Sequence, residues 1–152
     1  MGVRIKFNED EYLKGLKTAE QNLQDKINKL TEKGGLGILD ALLYVGAESQ
    51  KRAPVHTGDL RGSIQVELGE KLYAQGVNYE GNNYVEIVGK IPEQLKEGKV
   101  SFNTEYAAVQ HEQINYHHEN GQAKYLESVL VESQERVLNC IAGKIKEEWG
   151  AD

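Results

Sequence analysis

"RAPVHTGDLRGSI", Arg52 to Ile64, is the stretch at which the chain changes period. Before it, apolar residues recur at helical spacing; after it, they alternate with polar ones. Pro54 stops the preceding helix, because proline disfavours helical geometry in the residue before it. Thr57 is the right residue type to cap a new turn with its hydroxyl. Gly58 gives the backbone a freedom that a side chain would remove. Leu60 lies three residues after Thr57, so one helical turn swings it back toward the core, while Asp59 and Arg61 are expected to face outward. Gly62 and Ser63 then release the chain into a strand beginning at Ile64. Two chemical readings of the same letters fail. A phosphate loop needs glycines running into a long helix, and here a strand follows. Ser63, His56 and Asp59 can be written as a triad, but triad partners converge from separate elements, and no nucleophile elbow surrounds Ser63.

Upstream, the spacing predicts two helices. The first runs from about Asp10 to Lys33, opened by Asn8 or Asp10 as cap and favoured by Glu9, Asp10 and Glu11 at the positive end of its dipole. Leu13, Leu16, Leu23, Ile27 and Leu30 make a narrow seam at near-heptad spacing, interrupted by Glu20. That interruption argues against a long isolated coiled coil and for packing on a core or a neighbouring subunit. Gly34 and Gly35 are expected to end this helix. The second, Leu36 to Arg52, carries Leu39, Leu42, Leu43 and Val45 and is the candidate central helix. Residues 1–9 read as a flexible arm, with "MGVRIKF" as an arm or a short edge strand.

Downstream, Ile64, Val66 and Leu68 alternate as a strand with one buried face. Tyr73 to Tyr79 and Tyr84 to Gly89 form a hairpin around the turn-prone "EGNN", and Val100 to Asn103 gives a fourth strand. Residues 90–99 read as a solvated loop. Thr104 is placed to cap a short helix in "TEYAAVQHE", and a long C-terminal helix spans about Ala123 to Trp149. The fold class is therefore α+β: two N-terminal helices, an antiparallel sheet of three to four strands, and a long C-terminal helix packed on the sheet, in one domain over residues 1–152.

Composition narrows the function classes. A chain of 152 residues with 39% hydrophobic residues can support one core. It has no apolar run long enough to span a bilayer and no secretion-signal core at its start, so it reads as intracellular. Met1-Gly2 lacks the Ser or Thr that myristoylation needs at the sixth position. Cys140 stands alone, which excludes an internal disulfide and a cysteine metal cluster. It reads as a small residue near the packed stripe of the last helix. The net charge of -6 argues against tracking nucleic acid and fits a protein that meets protein partners. Tyr73, Tyr79 and Tyr84 lack a basic surround and read as cross-strand packing residues rather than base-stacking ones.

The corner also carries a resemblance. Lys51, Ala53, Pro54, Val55, Thr57, Gly58, Leu60, Arg61, Ser63 and Ile64 resemble the phage tail-completion and minor capsid proteins of the HK97 gene-product-10 type. A second block, Tyr106 to Glu112, and a third, Gly121 to Leu130 with Leu126, follow in the order that family has. The third is similar to the minor capsid branch in phages and prophages of Gram-positive hosts. Lys124-Tyr125-Leu126 stands where many relatives carry Pro-Phe-Leu. The resemblance implies a non-enzymatic virion component without cofactor or metal, either minor capsid, head–tail joining or tail-completion. It implies assembly in the bacterial cytoplasm, a homo-oligomeric ring, and docking on connector, portal-proximal or tail-tube proteins. The Asp10–Lys33 seam, "EGNNY" and the 90–99 loop are the expected contact elements.

Two alternatives come from the residues themselves. His111, Glu112, His117, His118 and Glu119 are ordinary zinc-ligand types, so a metal-dependent hydrolase is one reading. No pair of histidines at helical i,i+4 spacing supports it. A small nucleic-acid-binding module is the other, and the charge balance opposes it.

Overall fold

The computed structural model describes residues 1–55, 58–115, 117–118 and 120–150. His56, Thr57 and Glu119, which figure in the readings above, lie outside them. The α+β class holds. Helix α1 is Glu9–Arg52, α2 is Asp59–Gly62, α3 is Ala107–Glu112, α4 is Tyr125–Glu132 and α5 is Gln134–Gly150. Strands β1 (Ile64–Leu68), β2 (Lys71–Tyr79), β3 (Asn82–Ile87) and β4 (Gly98–Phe102) form one antiparallel sheet in the order β3-β2-β1-β4.

The two N-terminal helices are in fact one helix of 44 residues. Asn8 caps it, its side chain accepting from the Glu11 amide at 3.2 Å. Gly34 and Gly35 were expected to break it, since an interior glycine costs about 1 kcal/mol relative to alanine. They do not, because they serve close packing instead of a turn. A Cβ on Gly35 would lie 2.8 Å from the Leu95 carbonyl oxygen, and one on Gly37 would lie 2.6 Å from the Cys140 carbonyl oxygen. The glycines thus let α5 and the loop carrying Leu95 lie directly on the helix backbone. Leu95 is buried, so the 90–99 segment is solvated only in part.

The C-terminal helix is present as α5, preceded by the shorter α4, with a break at the buried Ser133. Its main packing is along α1 rather than on the sheet, and α1 covers the sheet. The core joins Leu39 of α1 to Val66, Leu68, Tyr73, Ala74 and Leu95. β1 alternates as expected, with Ile64, Val66 and Leu68 buried. The β2–β3 turn closes through Glu80 and Gly81, both at positive φ (50° and 83°), which suits the twist of a hairpin.

The first part of α1 leaves this body altogether. Residues 9–25 are all exposed, a projecting spur of about 25 Å at 1.5 Å per residue. Leu13, Leu16 and Leu23 sit on it without cover. Near the base of the spur, the Lys26 ammonium donates to the Glu148 carbonyl at the far end of α5. Beyond that point the seam has no helix from its own chain against it among the described residues.

Candidate functional site

The three sequence blocks that carry the resemblance meet at one place. Ala53 and Leu60 from the corner, Ala107 from α3 and Tyr125 from α4 form a buried cluster, with Phe102 and Leu126 packed against it. Tyr125 is its centre. Its phenol donates to the Ala107 carbonyl at 2.9 Å, and its ring meets Phe102 edge-on at 4.9 Å. Burial pushes the phenol up to about 12.

The corner is tied down from both sides. Arg61 does not face outward as its position in the sequence suggested. Its side chain turns back, Nε donating to the Ala53 carbonyl and an amino group to the Lys51 carbonyl, each at 2.8 Å. These carbonyls belong to the C-terminus of α1, where a cation complements the dipole and satisfies orphan acceptors. Burial lowers the Arg61 pKa, and the guanidinium remains charged. Ser63 Oγ donates to the Leu60 carbonyl at 2.8 Å and accepts from the Asn103 amide at 3.1 Å. The first residue flanking α2 is Gly58 at φ 89°. Pro54 and Ile64 are buried. Tyr106 flanks α3 and remains partly exposed. Thr104 does not cap α3 with its hydroxyl, which is buried without a hydrogen-bond partner among the described residues.

From the third block, Gly121 (φ 87°) crosses the end of α1 so closely that a Cβ would lie 2.6 Å from the Ala53 carbonyl oxygen. The next amide, Gln122, donates to the Arg52 carbonyl at 2.8 Å. Arg52 itself reaches Ser128 at 3.0 Å and Glu132 at 2.6 Å on α4. Arg52 and Lys124 carry much of this junction, and neither stood out in the sequence. The one hint was Lys124 in place of the proline common in the resembling family.

The histidine segment divides. Among the described residues, the ligand-type atoms that come within 4.8 Å of one another belong to His111, Glu112 and Glu127. His117 and His118 are not in that group. A cation already occupies the space between the carboxylates: Lys124 Nζ lies 2.5 Å from Glu112 and 2.9 Å from Glu127. His111 Nδ1 meets Glu112 at 2.7 Å, and its Nε2 accepts from the Glu127 amide at 3.3 Å. Lys124 first, then His111, holds Glu112 below the ordinary carboxylate range. This network joins α3 to α4.

The junction's centre is buried, while Tyr106 and Val109 at α3 and Leu130 and Val131 on α4 are exposed at its rim. Other exposed apolar side chains lie on the spur (Leu13, Leu16 and Leu23), along the β3 edge (Tyr84, Ile87 and Val88) with Ile91 just beyond it, and on α5 (Leu138 and Trp149). No helix among the described residues is long and apolar enough to cross a membrane. Comparison with protein-family models, with curated proteins and with solved structures gives no match to this chain.

Proposed function

We propose that this protein is a non-enzymatic structural component of a phage or prophage virion, of the minor capsid, head–tail joining or tail-completion kind, that acts by assembling with copies of itself and with connector or tail-tube proteins. One observation carries the reading: the three blocks that resemble that family converge on the single junction of Ala53, Leu60, Ala107 and Tyr125. The projecting spur supports it, because exposed apolar residues in a row mark surfaces that await a partner. For the hydrolase alternative, the ligand-type atoms that lie together are those of His111, Glu112 and Glu127, and both carboxylates also pair with Lys124.

The test is sedimentation of the purified chain, alone and mixed with portal-proximal and tail-tube proteins encoded beside its gene. Complexes larger than the monomer are expected. A strict monomer that binds none of these proteins overturns the reading.

A further inference from the structure

The arm ahead of α1 is exposed along its whole length, with the Phe7 ring tilted against that of Tyr12 at 5.2 Å. In "MGVRIKF", Val3, Ile5 and Phe7 alternate with Arg4 and Lys6. On extended backbone this puts three apolar side chains on one face and two cations on the other. Val3 is 93% exposed, Ile5 90% and Phe7 73%. The arm has the pattern of a half-buried strand and no sheet to lie in.

The sheet has a matching edge. β3 is an outer strand. Its Ile87 pairs with Ala74 and through it shares the buried face of Val66, yet Ile87 is 63% exposed. Glu86 and Tyr84 point to the opposite face, where Glu86 accepts from Gln75. A strand laid on β3 with its apolar side inward covers Ile87 and brings Arg4 and Lys6 beside Glu86. The opposite edge, β4, presents on that outer face Lys99, which already pairs with Glu67 at 3.5 Å and offers the arm's cations no unpaired carboxylate.

The arm of the same chain cannot make this pairing. Residues following β3 meet α1 around Glu32, Gly35 and Leu36, where Ile91 and Pro92 lie. Glu9 to Glu32 is about 35 Å of helix. Residues 1–8, fully extended, reach about 28 Å at most. We infer that residues 1–7 of one copy add as a fifth strand to the β3 edge of a second copy. The inference names the subunit contact of the assembly proposed above and rests on that reading. Arm and edge are different surfaces, so repeated head to tail the contact builds a ring, whereas a reciprocal exchange of arms stops at a dimer; the covalent ladder below distinguishes the two.

The test uses the full chain. Ile5→Asp is expected to weaken self-association about tenfold or more while leaving the melting temperature of the dilute, dissociated chain unchanged, since Ile5 is 90% exposed in the monomer. Glu86→Lys is expected to weaken it about threefold, and adding Arg4→Glu with Lys6→Glu to restore it. In a Cys140→Ser background, Ile5→Cys with Ile87→Cys should oxidise to a ladder of covalent oligomers. A bond formed only within one chain overturns the contact. Wild-type assembly that Ile5→Asp leaves intact also overturns it, with the virion reading still standing. A wild-type chain that stays monomeric on its own overturns it too, and binding to connector or tail-tube proteins then decides the wider reading separately.

Discussion

Gly15 and Gly37 sit in the same helix and should respond in opposite ways to the same methyl group. A Cβ at Gly15 meets nothing within 4 Å, so Gly15→Ala should stabilise by about 0.5–1 kcal/mol. At Gly37 the methyl would press on the backbone of Cys140 and Ile141, and Gly37→Ala should cost about 1–3 kcal/mol. Urea unfolding of both variants checks the pair. Tyr125 offers a second residue-level test. Its folded pKa, about 12, lies above the ordinary phenol value of 10, so the folded state holds the proton more tightly. The stability this contributes is complete below pH 10 and is lost as pH rises toward 12. Urea midpoints at pH 9 and pH 11 should fall more steeply for wild type than for Tyr125→Phe. At pH 7 that variant should lose about 1 kcal/mol with its buried hydrogen bond. None of this was legible locally: a glycine's neighbours on α5 are a hundred residues away in the chain, and "GG" by itself speaks for a helix end.

At the scale of elements, α1 divides into a half that stabilises the fold and a half that does not. Leu39→Ala, in the core, should cost about 2–5 kcal/mol. Leu16→Ala, on the spur, should change unfolding by less than about 0.5 kcal/mol. Equal losses at both sites would mean that the spur is buried in solution by the chain's own body. The strands were readable because alternation is a property of consecutive residues, as in Ile64, Val66 and Leu68. The seam of Leu13, Leu16 and Leu23 was readable for the same reason. Its lack of cover was not, since that depends on where α5 stops. The capping of α1 by Arg61 was missed because outward was the default for a charged residue beside an exposed aspartate, whereas the open carbonyls of Lys51 and Ala53 set its direction.

At the scale of the molecule, the junction ties the corner, α3 and α4 to the end of α1 opposite the spur. Arg61→Ala should therefore loosen the whole body, by about 1–3 kcal/mol, and Arg61→Lys should recover only part of it, because two carbonyls are served by a planar fork. Thermal melts of the two variants compare them directly. The continuity of α1 has one more consequence, which concerns angle. Each residue of an α-helix turns the chain by about 100°. Deleting seven residues from the exposed spur would draw the arm in by about 10 Å and leave it pointing nearly the same way. Deleting nine would swing it about half a turn around the rod, to the far side of the subunit. The number of residues between Asn8 and Lys26 therefore sets the heading from which the arm leaves the body as well as its distance.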